Sequence, residues 1–127
     1  MADEISLSCS LTAAKIGATV DSGQLSVTAT MAGADMATST QQIGTSAEVL
    51  AVPADVGFPA HLCIVNLDQT NYVTIYQDSG ALYQIAKLMP GSGGEPGQSC
   101  LLPGIAAAPY AKANSAACQV QFTAVEV

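Results

Sequence analysis

Apolar and polar residues alternate with a period of two along much of the chain. Ile5, Leu7, Cys9 and Leu11 are interleaved with Ser6, Ser8, Ser10 and Thr12, the pattern of a strand with one buried face. Leu25, Val27, Ala29 and Met31 alternate with Ser26, Thr28 and Thr30 in the same way, and Asp21-Ser22-Gly23 separates the two runs. A polar stretch, 38–42, leads through Ile43-Gly44-Thr45-Ser46 into a short strand over 47–52, which ends at Pro53. Leu62-Cys63-Ile64-Val65 is a continuous apolar run and reads as a strand covered on both faces. Asn66-Leu67-Asp68-Gln69-Thr70-Asn71 follows as a tight turn, because Asn and Asp bond their own backbone and tolerate left-handed dihedrals. Beyond it, Val73 and Ile75 share one strand face, and Tyr72, Thr74 and Tyr76 the other. Asp78-Ser79-Gly80 predicts a further turn, and 81–89 a strand closed by Pro90. Short strands are expected at 99–102, 110–113 and 117–126, the last with Val120, Phe122 and Ala124 facing inward.

The fold class follows from this spacing. About eight to ten short strands separated by Gly, Pro and Asn/Asp signals predict an all-β, single-domain antiparallel β-sandwich or jelly roll over residues 1–127. No segment has a 3.6-residue apolar period; 32–38 and 104–108 are Ala-rich enough for one helical turn. An extended N-terminal arm is expected at 1–12. Pro90-Gly91-Ser92-Gly93-Gly94-Glu95-Pro96-Gly97 suits neither sheet nor helix, which predicts an exposed, mobile loop at 90–97. A chain of 127 residues suits one domain and buries roughly two-thirds of its unfolded surface without staples.

Composition narrows the functions. Charged residues make up 10% of the chain, against about 25% in soluble proteins. The exterior must therefore be built from Ser, Thr, Gln, Asn, Gly and Ala. Such charge depletion marks the core of protein interfaces; the alternative is a monomer hydrated through hydroxyls and amides. The ionic balance is 10 acidic residues against 3 lysines, with no arginine. Neutralising phosphates needs clustered cations, so neither nucleic acid nor an anionic membrane is an expected partner. A net charge of −7 favours solubility. The start, Met1-Ala2-Asp3-Glu4, is acidic and leads into no continuous apolar run, unlike a signal peptide or membrane helix. The four cysteines are then expected in a reducing compartment as free thiols.

The residues that could carry chemistry have simpler structural readings. His61 and Cys63 fall on one strand face about 7 Å apart, without the orienting group and oxyanion hole that a nucleophile pair requires. Cys9, Cys63, Cys100 and Cys118 lack metal-site spacing and alternate within apolar runs, which predicts buried thiols. Asp68 and Asn71 are too few oxygens for calcium and suit a turn. No G-x-S-x-G elbow, phosphate loop or carboxylate pair is present. No catalytic, cofactor or metal residue is assigned, and the protein is expected not to be an enzyme. Tyr72 and Tyr76 form an interface anchor if their strand face is outside and core if it is covered.

The order of these features resembles a family of small structural proteins of tailed bacteriophage particles. An acidic start runs into the Ile5–Leu11 alternation, and Gln42-Ile43-Gly44-Thr45-Ser46 precedes an apolar strand. Asn66-Leu67-Asp68-Gln69-Thr70-Asn71-Tyr72-Val73 follows, then Leu88-Met89-Pro90-Gly91, then Tyr110-Ala111-Lys112-Ala113-Asn114 before a final strand. The resemblance covers most of residues 1–127 and departs at 92–97, where the family pattern has a shorter turn. It implies a β-sandwich virion component without catalytic activity. Some similar proteins decorate capsids at symmetry axes and tie capsomers together. The expectation is thus a capsid decoration or cement protein, made in the host cytoplasm and placed on the capsid surface, that binds between subunits of the major capsid protein. It would also associate with itself, a trimer matching a threefold position. Tyr72, Tyr76, Ile5 and Leu7 are the interface candidates, the last two because an N-terminal strand can add to a neighbour's sheet edge. The alternatives are a tail, adaptor or fibre component, or a host-surface or glycan-binding module; for glycan binding the absence of Trp and the 5% aromatic content are unfavourable.

Overall fold

Two compact units, Met1–Ala32 and Gly33–Val127, make up the chain in a computed structural model that describes residues 5–31 and 35–127. The described residues of the first unit form one β-hairpin. Its strands are β1 (Ile5–Cys9), β2 (Thr12–Lys15), β3 (Ala18–Asp21) and β4 (Leu25–Ala29), with β1 paired to β4 and β2 to β3. At the tip, Lys15 pairs with Ala18, leaving Ile16-Gly17 as a two-residue turn. Gly17 has φ of 83°, which glycine adopts without steric cost. Cys9 pairs with Leu25 and Thr12 with Asp21, so two residues face three, a β-bulge. The Asp21 carboxylate accepts the Gly23 N–H at 2.8 Å, and Ser22 Oγ accepts the Leu11 N–H at 2.8 Å, which fixes the bulge. The expected arm at 1–12 is therefore one side of a hairpin over its described part, with residues 1–4 outside the described residues.

The second unit is the sandwich. Its strands are β5 (Met36–Ile43), β6 (Glu48–Val49), β7 (Ala60–Asn66), β8 (Val73–Tyr76), β9 (Gln84–Leu88), β10 (Ser99–Ile105), β11 (Tyr110–Ala113) and β12 (Cys118–Glu126). One sheet has the order β10-β7-β12-β5 and the other β6-β11-β8-β9. The antiparallel pairs β5–β12, β6–β11, β7–β10 and β8–β9 are those of one long hairpin rolled into two sheets. That is the double Greek-key pairing of an eight-stranded jelly roll.

The core forms where the period-two pattern is cleanest. On β12, Cys118, Val120, Phe122 and Ala124 are all buried, and they meet Ile43, Leu62, Ile64, Val73, Ile75 and Leu88 in one cluster. Each large side chain so buried contributes about 1.5–3 kcal/mol. The inward placing of Val120, Phe122, Ala124, Val73 and Ile75 agrees with the alternation.

Several elements differ from the expectation. The polar stretch 38–42 lies inside β5, an eight-residue strand held by pairing along its whole length with β12. The run 62–65 is covered on one face, since Leu62 and Ile64 are buried while Cys63 is exposed. The strand expected over 81–89 starts at Gln84. Before it, the Asp78 carboxylate accepts the Leu82 and Tyr83 N–H groups and Ala81 sits at φ of 55°, so the chain turns. Gly104 and Ile105 continue β10, and 36–38 belongs to β5, so neither described stretch is a helical turn; residues 32–34 lie outside the described residues.

Candidate interaction surface

Thr74 lies at the centre of the outward face of the β6-β11-β8-β9 sheet. Val73 and Ile75 point into the core, so Thr74 and its neighbours of the same parity point away from it. The register sets Lys87 of β9 on one side of Thr74 and Lys112 of β11 on the other, and it sets Tyr110 opposite Tyr76. Directly opposed residues lie about 4.5–5.5 Å apart at Cβ. Thr74 is only 5% exposed although it faces outward, flanked by two lysines whose side chains are longer than its own. The Lys87 ammonium stands 3.9 Å from the centroid of the Tyr72 ring, a cation–π contact worth about 0.5–1 kcal/mol at an exposed site. Tyr72, Tyr76 and Tyr110 are all half-buried.

This face joins three of the four tyrosines and two of the three lysines of the chain. Sequence reasoning singled out Tyr72 and Tyr76 and left open whether their face is covered; the fold turns it outward. It missed Tyr110, Lys87 and Lys112, which only cross-strand pairing brings alongside. The other two candidates lie on the hairpin: Ile5 is buried and Leu7 half-buried, paired with Ala29 and Val27.

The loops at one end of the sandwich are organised by Asn66 and Asp68. Asp68 Oδ1 accepts the N–H groups of Thr70 at 2.7 Å and Asn71 at 2.6 Å, and these bonds hold its carboxyl below the usual aspartate range. The carboxylate is thus used as a turn former. Hydrogen bonds join the loop 90–97 to the turn that follows β7. Gln69 donates to the Glu95 carbonyl and accepts the Gly94 N–H, and the N–H groups of Gly91 and Gly97 donate to the Asp68 and Asn66 carbonyls.

The nucleophile and metal candidates are dispersed. His61 Nδ1 accepts the Gly104 N–H at 2.8 Å, beside the irregularity between Leu102 and Ile105 in β10, so the ring nitrogen serves the backbone. All four cysteines are free. The expectation that all are buried holds for Cys118; Cys9 and Cys63 are exposed and Cys100 half-buried, because strand ends and the outward face of β7 carry them. Burial pushes the Cys100 and Cys118 thiols up to about 11. Among the described residues no three His, Cys, Asp or Glu side chains gather as a metal site would require. An open cleft of about 450 Å³ is lined by Ile85, Leu102, Ile105 and the 106–109 segment, with no ionisable group among its lining residues.

Comparison with models of protein families, with curated proteins and with solved structures found no match to this chain.

Proposed function

We propose that this chain is a non-enzymatic structural subunit of a tailed-bacteriophage particle, a capsid decoration protein that binds between subunits of the major capsid protein. The observation that carries this reading is the outward tyrosine–lysine face on a jelly roll with few charges elsewhere. Tyrosines supply interface contact area together with a polar tip, and the two lysines give a cationic patch by which an acidic molecule can dock on an acidic site. Viral capsid domains share the jelly-roll architecture, an analogy of fold that adds weight without fixing function. On the capsid surface the protein acts by geometry: bound across a subunit boundary, it adds contacts that must be broken before the shell opens.

The test is co-sedimentation of the purified full chain with expanded, DNA-filled heads of the phage that encodes it. Binding saturates at a fixed number of copies per head. The Tyr76→Ala, Tyr110→Ala double variant weakens binding at least about 10-fold, as expected for the loss of two aromatic anchors. Heads that remain bare while tails or fibres take up the protein would move it to the distal part of the particle. A chain that binds neither would remove it from the particle.

A further inference from the structure

β5 ends its sheet, paired with β12 on one side only. The ladder shows which of its backbone groups are already used. The Glu126 N–H donates to the Asp35 carbonyl, so Asp35 is turned towards β12. The antiparallel pairing then runs without a shift from Met36 to Ile43, and bonding direction alternates along such a strand. Ala37, Ser39, Gln41 and Ile43 therefore bond to β12. Met36, Thr38, Thr40 and Gln42 direct their N–H and C=O groups away from it. Gln119 agrees with this assignment: it stands opposite Gln42, and its carbonyl accepts the Leu67 N–H instead.

At Gly44, next in the outward series, the edge is closed. Its N–H donates to the Glu48 carboxylate at 3.0 Å, and its carbonyl accepts the Ala113 N–H at 2.9 Å. From Met36 to Gln42 the outward row of four N–H and four C=O groups has no hydrogen-bond partner among the described residues. Such a row is complementary to extended backbone. The free segment is also its own complement. Run antiparallel about a two-fold axis, Met36 stands opposite the partner's Gln42 and Thr38 opposite the partner's Thr40. All four outward residues of each copy then exchange both bonds with a residue of the other. Sliding by two residues leaves outward groups of each copy unpaired, and sliding by one sets groups already bonded to β12 opposite free ones. Side chains alone specify this register weakly; the number of backbone bonds selects it. No residue of β5 is charged in a chain of −7, so no like charges oppose along the ladder, and opposed threonines are a favourable cross-strand pair. The nearest charges lie at its ends, Asp35 before the strand and Glu48 beside Gly44.

We propose that β5 is the self-association edge of this protein, and that its occupant is β5 of a second copy, which joins two four-stranded sheets into one continuous sheet. Such a contact is isologous, as a closed two-fold dimer requires. It differs from the threefold association that the resemblance to virion proteins implies. It uses the edge of one sheet and leaves the tyrosine–lysine face of the other free for another partner. The inference rests on reading the chain as an assembling subunit and deepens it by assigning the contact between copies. A monomer that still binds phage heads would sink the dimer alone, and a dimer that binds no particle would sink the virion reading alone.

Sedimentation velocity of the purified full chain across a range of micromolar concentrations tests it. The wild-type chain sediments as a dimer, and salt tightens it, because antiparallel pairing brings Asp35 of each copy towards Glu48 of the other and salt screens that repulsion. The Thr38→Lys, Thr40→Lys double variant dissociates at least about 10-fold more readily, since lysines then oppose lysines across the axis. Both altered side chains are exposed in the single chain. Thr40→Pro acts in the same direction through the backbone, removing an outward N–H and none that bonds to β12. The Tyr76→Ala, Tyr110→Ala variant remains a dimer. Residue-resolved hydrogen exchange on the unaltered chain reads the pairing itself: the amides of Met36, Thr38, Thr40 and Gln42 become protected as concentration rises, while those of Ala37, Ser39 and Gln41 are protected throughout. Protection of the latter three in the lysine variant shows that its sandwich is intact. A wild-type chain that is monomeric over the whole range, a lysine variant that stays dimeric, or outward amides whose exchange is independent of concentration would each overturn the proposal.

Discussion

Replacing Asn66 with Ala should cost about 3 kcal/mol, and the structure shows where each part of that figure arises. Asn66 ends β7 and is fully buried. Its Nδ2 donates to the Asn71 and Leu88 carbonyls, both at 3.0 Å, and its Oδ1 accepts the Asp68 N–H at 2.9 Å. The bond to Leu88 is wholly buried, and orphaning that carbonyl costs about 1–3 kcal/mol. The other two bonds are partly buried and are worth about 0.5–1 kcal/mol each. For a domain of this size the sum lowers the midpoint of thermal unfolding by about 10 °C, readable by circular dichroism or calorimetry. Asn66→Asp sharpens the test, because it preserves shape while replacing the donor by an acceptor facing two carbonyl oxygens. Burial and those oxygens raise the folded-state pKa of the new carboxyl above its unfolded value of about 3.9. A raised acid pKa means that the folded state holds the proton more tightly, so the cost grows as pH rises above the unfolded value and shrinks as pH falls towards it. The variant should therefore be markedly weaker than wild type at neutral pH and closer to it at about pH 4. An Asn66→Ala chain that melts within about 2 °C of wild type, or an Asn66→Asp chain with the wild-type pH profile, would refute this account of the loops.

Asp68 presents the opposite sign. Its folded pKa lies below the ordinary 3.8, so its contribution is present above the unfolded pKa and is lost as pH falls through the folded one. Asp68→Asn should cost about 0.5 kcal/mol at neutral pH, small because the site is half-exposed, and should flatten the acid limb of a pH–stability curve. Thiol titration of the native chain with a chromogenic disulfide at about pH 8 should show fast reaction at Cys9 and Cys63 and slow reaction at Cys100 and Cys118, whose thiols are pushed up to about 11; four equally fast thiols would contradict the burial. Gly97→Ala should destabilise the chain by about 2 kcal/mol, measured by urea denaturation, because an added Cβ collides with the Met89 carbonyl and lies 2.9 Å from that of Asn66.

The all-β class was legible because the central strands carry clean alternation. Val120, Phe122 and Ala124 on β12, and Val73 and Ile75 on β8, go where a period of two sends them. β5 was not legible. Between Met36 and Gln42 its inward positions are Ala37, Ser39 and Gln41, all half-buried, so no apolar rhythm marks the strand until Ile43. The inner hairpin strands escaped for a related reason: every described side chain of Thr12–Lys15 and Ala18–Asp21 is exposed, so their sequence records no burial. The tyrosine–lysine face was half legible. Tyr72 and Tyr76 are near in sequence, but Tyr110, Lys87 and Lys112 join them through the β8–β11 and β8–β9 ladders, which are non-local. The rolled pairing of β5 with β12 and β6 with β11 leaves no local trace either, so sandwich and jelly roll could not be separated before the register was known.

The edges of the two sandwich sheets are protected unequally. An exposed edge templates pairing with another chain unless it is blunted, and the sandwich blunts three of its four. β10 carries Pro103 and an irregularity between Leu102 and Ile105. β6 is two residues long. β9 is short and bears Lys87. The fourth edge, β5, has neither proline nor charge, so strand addition there is not blocked. Yet a contact built on its hydroxyl and amide side chains would specify register poorly, because a one-residue slip moves no large apolar group from a buried to an exposed face. On the hairpin the same slip would exchange the Ile5, Leu7 and Leu11 row for serines and threonine. Register is therefore specified by the side-chain pattern on the hairpin and hardly at all along β5.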